Sequence, residues 1–302
     1  MDNVETKPLT EYSEQEIISN GARIVLSIWV PPNPTATLVF IPATMVHPLF
    51  FEPLLKGFAE QGFAVVGLHP VGHGKSTRDV KRYTIRDIVQ NGRDAVSFAL
   101  ERFALPVVVM GSSQGGIVAA ALAAEDERIA AVFAHNIMLS ELPDSIGVSR
   151  FPLWLRHLYR PLRVALRLFA CLFPDWKVPL KYYLDRKRIS TNLAVWNAVR
   201  KDALNLTRYP LCFVASLLTT DFPGLTDGKG IRCPVYVIAD SGDKLFTPAY
   251  TQKVFERLRA PYKEMIEFDY HDHMLMVTHA KEVCAALSVK IKEALASCAV
   301  KK

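Results

Sequence analysis

The hydrophobic positions of the chain fall into short runs that alternate with longer helical patterns. Runs rich in Val, Ile, Leu and Phe predict strands at residues 22–30, 36–41, 63–68, 106–110, 129–134, 234–239 and 262–268. Helical patterns occur at residues 51–61, 84–103, 116–124 and 274–296. Thr84 is suited to cap the start of one helix, and Gly62 to follow the end of another. Because strands and helices alternate, the sequence predicts an α/β protein with a mostly parallel sheet and helices on both faces.

A segment of different character separates strands 129–134 and 234–239. It reads as helical and rich in aromatic residues, among them Trp154, Phe169, Phe173 and Trp176. We therefore predict three parts: residues 1–135 as the first part of the α/β core, 136–230 as a helical insertion, and 231–302 as the second part of the core.

The basic character of the chain is concentrated in this insertion. Between residues 150 and 190 there are ten Lys or Arg against two Asp, an excess of eight that exceeds the excess of six in the whole chain. Arg156, Arg160, Arg163 and Arg167 would share one helix face, although Pro161 is expected to break or kink that helix. The basic residues alternate with Leu, Trp and Phe, which favours contact with an anionic membrane surface over binding of nucleic acid. The alternative is an ordinary helix face exposed to solvent.

Composition narrows the setting in which the protein works. The first twenty residues are polar and acidic and contain no secretory signal pattern, and no apolar stretch reaches the length of a membrane span. The five cysteines are scattered without metal-ligand spacing. We therefore predict a cytoplasmic protein with reduced thiols and without a metal or other cofactor.

Gly111-Ser112-Ser113-Gln114-Gly115 follows the strand at 106–110 directly and opens an Ala-rich helix. A serine at a sharp strand-to-helix turn needs small neighbours, which the two glycines provide. The helix start directs free N–H groups at any oxyanion formed when Ser113 attacks a carbonyl. The motif therefore predicts Ser113 as a nucleophile.

A serine nucleophile needs a base, and the base needs an acid that orients it. Asp240 and Asp243 follow the strand at 234–239, and His271 and His273 follow the strand at 262–268. Loops at the carboxyl ends of parallel strands meet at one edge of a sheet, so these groups are candidates for both roles. The residues alone do not decide between Asp240 and Asp243 as the acid, or between His271 and His273 as the base.

The chain resembles the α/β-hydrolase superfamily, in the serine esterase branch that includes monoacylglycerol lipases and lysophospholipase-like enzymes. The segments that carry the resemblance are residues 38–44, 72–76, 111–115, 241–243 and 272–276. The resemblance implies an α/β-hydrolase fold with the insertion as its cap, Ser113 as nucleophile, Asp243 as acid and His273 as base, with Asp240 and His271 as rivals.

The resemblance also implies an oxyanion hole formed by the backbone N–H groups of Thr44 and Gln114. One feature departs from the family pattern, because Pro42-Ala43 stands where the family has His-Gly. A backbone donor tolerates this change of side chains, but Ala43 lacks the conformational freedom of glycine.

These features favour an enzyme that hydrolyses an acyl ester or lactone. Trp154, Phe169, Phe173 and Trp176 are expected to line the acyl pocket. An N-acyl homoserine lactone hydrolase is a close variant. A proline-iminopeptidase-like peptidase and a non-catalytic binding protein are the alternatives. The peptidase is disfavoured because Gln114 stands where that branch usually carries Trp.

Overall fold

The computed structural model describes residues 10–299 of the 302-residue chain. The strands are β1 (Glu11–Ser19), β2 (Ala22–Val30), β3 (Ala36–Ile41), β4 (Phe63–His69), β5 (Val107–Ser112), β6 (Ile129–His135), β7 (Lys177–Pro179), β8 (Arg208–Pro210), β9 (Val235–Asp240) and β10 (Lys263–Phe268). The α-helices are α1 (Glu52–Glu60), α2 (Ile85–Phe103), α3 (Gln114–Glu125), α4 (Tyr159–Leu172), α5 (Arg186–Ile189), α6 (Leu193–Lys201), α7 (Leu211–Thr219), α8 (Pro248–Arg257), α9 (Leu275–Thr278) and α10 (Ala280–Ala299). Short 3-10 helices occupy Pro48–Phe51, Pro143–Val148, Leu153–Leu158, Leu180–Tyr182 and Pro223–Leu225.

Eight strands form one sheet in the order β1-β2-β4-β3-β5-β6-β9-β10. The pairs β1–β2 and β2–β4 are antiparallel, and every other neighbouring pair is parallel. The mostly parallel sheet predicted from the sequence is therefore confirmed. Because β3, β5, β6, β9 and β10 run in one direction, the loops after them gather at one edge of the sheet.

Successive side chains of the central strands point to opposite faces and so build two cores. In β3, Leu38 and Phe40 belong to the core that α1 and α10 cover. Val39 and Ile41 belong to the core on the side of α2 and α3. Both faces of the sheet are thus covered by helices, which explains why these strands are apolar throughout and do not alternate with polar residues.

The sequence pattern did not predict β1. Most of its residues are exposed, and three of the nine are glutamates, so it lacks the apolar alternation that signals a strand. It pairs with β2 along its whole length, and Glu16 forms an ion pair with Arg23 at 2.6 Å. A charged edge strand of this kind hinders pairing with other chains. Residues 1–9, part of the segment without a predicted secretory signal, lie outside the described residues.

The helix predicted at 274–296 is divided in two. His279 separates α9 from α10 with φ of −127° and ψ of 38°, and its ring stacks on Tyr270 with 3.8 Å between ring centroids. The stack ties the end of α9 to the loop after β10. This division could not be predicted from apolar spacing, because it depends on a contact between separate elements.

Residues 136–230 lie between β6 and β9 and contain α4–α7 and the antiparallel pair β7–β8. We call these residues the insert. The helix α4 begins two residues before Pro161, so the proline occupies its first turn, where it is tolerated. Arg163 is half-buried and pairs with Asp221 at 2.6 Å. In the range 10–299 no helix has both the length and the apolarity needed to cross a membrane.

Candidate active site

Ser113 stands at the turn between β5 and α3, residues 111–115, which we call the elbow. Its backbone conformation is strained, with φ of 54° and ψ of −115°. The glycines around it are required by close backbone packing. A Cβ at Gly111 would lie 1.9 Å from the carbonyl oxygen of Gly115, and a Cβ at Gly115 would lie 2.1 Å from that of Ile41. The turn therefore holds its tight geometry only with glycine at both positions.

Three side chains from separate loops meet at this turn. The Oγ atom of Ser113 lies 3.0 Å from Nε2 of His273, and Nδ1 of His273 lies 2.7 Å from Oδ2 of Asp243. All three side chains are buried. His273 also stacks on Phe246, with 5.6 Å between ring centroids, which fixes the plane of the imidazole. The structure thus brings together the three residues that the resemblance indicates as nucleophile, base and acid.

Asp243 is held as a carboxylate by its surroundings. Its Oδ1 accepts hydrogen bonds from the backbone amides of Leu245, at 2.7 Å, and Phe246, at 2.9 Å. Burial acts to raise the pKa of Asp243, but His273, His135 and the Phe246 amide outweigh it, so the pKa lies below its usual value. A charged Asp243 keeps the hydrogen of His273 on Nδ1, which leaves Nε2 free to accept the proton of Ser113.

The rival residues from the same two loops lie elsewhere. Asp240 accepts hydrogen bonds from the backbone amides of Gly242, at 2.9 Å, and Tyr270, at 2.8 Å, and so ties the loops after β9 and β10 together. The side chain of His271 is 69% exposed and lies 3.0 Å from Asp269. Among the described residues, neither rival side chain forms a hydrogen bond with Ser113 or His273.

Two residues at the end of β6 join this cluster and were missed in the sequence. Asn136, with φ of 66°, donates from Nδ2 to Asp243 Oδ2 at 3.1 Å and to Nε2 of His135 at 2.9 Å. Nδ1 of His135 lies 3.2 Å from Oγ of Ser112. The sequence could have indicated these two residues. His135 and Asn136 stand at the carboxyl end of β6, which pairs with β5, and functional groups gather at that edge of the sheet.

The backbone amides of Thr44 and Gln114 were the predicted oxyanion donors. Gln114 is the first residue of α3, so its amide has no acceptor within the helix. Thr44 lies in the loop after β3, which abuts the elbow because Ile41 is the register partner of Gly111. Both residues line one small cavity at Ser113, of about 40 Å³.

The rest of that cavity is mainly apolar. Besides Thr44, Ser113 and Gln114 it is lined by residues of α3, of the insert and of the loop after β9: Ile117, Met138, Val148, Ser149, Tyr183, Leu184, Leu217, Leu218, Leu245 and Phe246. Two of the residues that line it carry a buried polar atom without a hydrogen-bond partner among the described residues: Gln114 at Oε1 and Tyr183 at its hydroxyl. Such atoms are costly unless a bound molecule pairs with them.

The four aromatic residues expected to line an acyl pocket do not reach this cavity. Trp154, Phe173 and Trp176 are 64%, 51% and 58% exposed on the outside of the insert. Phe169 lines a separate apolar groove of about 390 Å³ between α4 and α7. Aromatic composition indicates that the insert has apolar faces, but it does not tell which face packs inward.

His135, Asp243 and His273 form the one cluster among the described residues whose side chains lie close enough to hold a metal ion, with ligand atoms within 4.8 Å of one another. Both nitrogens of His273 and both oxygens of Asp243 are already engaged in the hydrogen bonds above. A metal ion bound here would have to displace these hydrogen bonds.

Comparisons with known proteins bear on the family and the fold of the chain. A family model described as "Serine aminopeptidase, S33" matches residues 32–279. No curated protein sequence matches the chain.

Several solved structures share the fold at low identity. A monoacylglycerol lipase from Paleococcus ferrophilus superposes with a TM-score of 0.71 at 17% identity, covering 94% of this chain and 99% of that one. A soluble variant of monoglyceride lipase from Saccharomyces cerevisiae, solved with a substrate analogue, superposes with a TM-score of 0.75 at 13% identity. The match covers 97% of this chain and 98% of that one. A carboxyl esterase from Bacillus coagulans, in complex with glycerol, superposes with a TM-score of 0.74 at 15% identity. The match covers 95% of this chain and 100% of that one.

At these identities the solved structures establish the fold, whereas the family model establishes membership, since it spans most of the chain. Both agree with the superfamily predicted from the sequence motifs. The chain belongs to the serine aminopeptidase S33 family of α/β-hydrolase enzymes.

Proposed function

We propose that the protein is a serine carboxylic-ester hydrolase that cleaves an amphipathic acyl ester or lactone through a Ser113-His273-Asp243 triad. The observation that carries the proposal is the continuous pair of contacts from Ser113 Oγ to His273 Nε2, at 3.0 Å, and from His273 Nδ1 to Asp243, at 2.7 Å. Hydrogen-bonded contacts of this length are what a serine needs in order to lose its proton as it attacks.

The proposed reaction has two halves. In the first, Ser113 Oγ attacks the ester carbonyl carbon while His273 Nε2 takes its proton, and the backbone amides of Thr44 and Gln114 stabilise the oxyanion. His273 then gives the proton to the departing alcohol, which leaves the acyl group on Ser113. In the second half, His273 takes a proton from a water molecule, whose oxygen attacks the acyl carbon. The intermediate then breaks its bond to Ser113 Oγ, which takes the proton back from His273, and a carboxylic acid is released.

The apolar space beside Ser113 supports an acyl substrate. The cavity at Ser113 shares Ser149 and Leu218 with the larger groove between α4 and α7, whose lining includes Leu166 and Phe169. We assign the acyl chain to the cavity at Ser113 and the neighbouring groove, which meet at Ser149 and Leu218. The assignment retains Phe169 and replaces the other three aromatic residues expected from the sequence. The unpaired Gln114 and Tyr183 atoms are suited to polar groups near the scissile bond.

The family description also raises the peptidase alternative. An aminopeptidase must bind the protonated amino terminus of its substrate, which calls for a carboxylate near the nucleophile. None of the described residues that line the cavity at Ser113 is acidic. The site therefore favours an uncharged ester over an aminoacyl amide.

A panel of p-nitrophenyl esters of increasing chain length, beside aminoacyl amides and N-acyl lactones, tests the substrate class. Each methylene that enters the groove should contribute up to about 0.8 kcal/mol, nearly fourfold in kcat/KM. We expect a rise through medium chains that then levels off, and slow turnover of aminoacyl amides. A flat profile with esters, or faster turnover of the amides, would contradict the proposal.

A pair of variants on one helix tests whether the groove holds the chain. Leu166 lines the groove, whereas Leu168 is 62% exposed on the outer side of α4. Leu166→Trp should fill the groove and shift the optimum to shorter esters, with turnover of short esters preserved. Leu168→Trp, the matched control, should leave the profile unchanged. An identical chain-length profile for both variants would show that the acyl chain binds outside this groove.

The outer face of the insert supports peripheral contact with an anionic membrane surface. Trp154, Leu168 and Leu172 are 64%, 62% and 72% exposed. Arg160 is exposed on α4, the helix that carries Leu168 and Leu172, and residues 150–190 carry the excess of positive charge. Apolar side chains among basic ones suit an anionic lipid interface.

Vesicle binding tests this contact separately from catalysis. The protein should bind vesicles that contain phosphatidylserine more strongly than neutral ones, and added salt should weaken the binding. Leu168→Ser and Arg160→Glu should each reduce it. Equal binding to both vesicle types, or none, would leave this face as an ordinary solvated surface.

A further inference from the structure

The loop after β3 carries Thr44, and the residue that follows it has an unusual backbone. Met45 has φ of 67°, in the left-handed region that residues with a Cβ seldom adopt. Both of its backbone groups are bound by the insert. Its amide donates to the hydroxyl oxygen of Tyr209 at 2.7 Å, and its carbonyl accepts from the amide of Leu206 at 2.8 Å. The insert therefore holds this peptide in place.

His73, in the loop after β4, sets the direction of the Tyr209 hydroxyl. Nδ1 of His73 lies 2.9 Å from the carbonyl oxygen of Val71, which can only accept, so Nδ1 carries the hydrogen. Nε2 of His73 must then accept the hydrogen of Tyr209, at 2.5 Å. The oxygen of Tyr209 is left free to accept from Met45. Burial lowers the pKa of His73 to about 4, so this neutral tautomer persists at ordinary pH.

Two more contacts fasten the same part of the insert to the core. Nε2 of His47 lies 2.7 Å from Oδ2 of Asp202, and Arg78 donates to the carbonyl oxygen of Ala203 at 3.0 Å. Residues 202–209 thus contact the loop after β3 at Met45 and at His47. They bind the loop that carries Pro42-Ala43-Thr44-Met45, a segment without glycine.

We propose that Tyr209, oriented by His73, is a positioning residue that holds the Thr44 amide toward the oxyanion, so that the insert completes the oxyanion hole. Neither side chain lines the cavity at Ser113, so both act through the Met45 peptide. The inference rests on the proposed function, because it requires turnover at Ser113.

Tyr209→Phe removes the hydroxyl and leaves the ring. Tyr83→Phe is the matched control, because both rings pack on Phe213, with centroids 4.6 Å and 5.0 Å away. Tyr83 is also buried, and its hydroxyl makes no hydrogen bond to the described residues. An oxyanion donor contributes about 10²- to 10³-fold to kcat. We expect Tyr209→Phe to lower kcat by about 10-fold or more, with KM changed less than about twofold.

A trifluoromethyl ketone separates positioning from general damage, because its tetrahedral adduct needs the oxyanion hole. Its affinity should fall in Tyr209→Phe by the same factor as kcat/KM and should not change in Tyr83→Phe. Complete labelling by a fluorophosphonate counts the folded sites, so kcat is expressed per competent site even where folding is impaired.

Equal kcat and equal inhibitor affinity in the two tyrosine variants would overturn the role of Tyr209. Failure of the proposed function has a different signature, since wild-type protein would then show no turnover that depends on Ser113.

Discussion

Replacing Gly115 by alanine probes the packing that brings α3 against the loop carrying Thr44. The added methyl carbon would lie 2.1 Å from the carbonyl oxygen of Ile41 and 2.6 Å from that of Pro42, whereas ordinary contact begins at 3.4 Å. Because both neighbours are backbone atoms, no side chain can rotate away, and the start of α3 must move from β3 by roughly 1 Å.

The size of the effect follows from this displacement. Overpacking of a core costs about 1–3 kcal/mol, and a collision with backbone belongs at the upper end, about 3 kcal/mol. For a chain of 302 residues, with an unfolding entropy of about 2.1 cal/mol/K per residue, that corresponds to a fall in Tm of about 5 °C. The shift also separates the amides of Gln114 and Thr44, and a misplacement of about 1 Å can cost about 100-fold in kcat/KM.

Gly92→Ala is the matched control. Gly92 is also a buried helical glycine beside β3, but its added Cβ would meet side-chain methyl carbons, of Leu122 at 3.0 Å and of Ile41 at 3.5 Å. These can adjust, and alanine gains about 1 kcal/mol over glycine in a helix. Thermal unfolding and ester turnover per labelled site should therefore change little. Similar losses in both variants, or wild-type turnover in Gly115→Ala, would refute the packing argument.

Three further predictions concern stability. Ala104, exposed at the end of α2 with φ of 52°, should gain about 1 kcal/mol on replacement by glycine, seen as a higher Tm with unchanged turnover; a lower Tm would contradict this. Phe133→Ala, at a fully buried ring that stacks on the neighbouring strand, should cost about 3–5 kcal/mol in denaturant unfolding, and a cost below about 1 kcal/mol would contradict the packing described. Burial lowers the pKa of His69 and His135 to about 3, and that of His73 to about 4, from an ordinary 6.5. The unfolded chain therefore binds more protons below about pH 6.5, and the free energy of unfolding should fall by about 1.4 kcal/mol per pH unit for each histidine between about pH 6 and 4; a flat profile would contradict this.

The strands of the sheet and the turn that carries Ser113 could be predicted from short stretches of sequence. The strands are apolar on both faces, and the sequence motif of the turn is short and specific. The strands from β2 to β6, together with β9 and β10, follow from apolar runs, and Gly111 to Gly115 lie at a strand-to-helix turn in the structure as in the prediction. These features depend on neighbours in sequence. The edge strand β1 was missed because its stability comes from pairing and from charge, not from burial.

The remaining features depend on contacts between distant residues. The inward face of α4 is set by packing on α7, so spacing alone could not tell that Phe169 lines the groove between these two helices. The contact of Asn136 with Asp243 joins residues far apart in the chain, as does the contact of Tyr209 with Met45. The choice between His271 and His273 came from the family resemblance, and only their positions in space distinguish them physically.

The central claim is that Ser113 is the nucleophile, and covalent labelling with a fluorophosphonate followed by peptide mapping tests it most directly. Wild-type protein should take up one probe, on the peptide that contains Ser113, and lose ester turnover in proportion. His271→Ala should be labelled like the wild type, His273→Ala should be labelled far more slowly, and Ser113→Ala should not be labelled while its Tm stays close to wild type. Labelling at Ser112 or another residue, or turnover that survives Ser113→Ala, would contradict the claim.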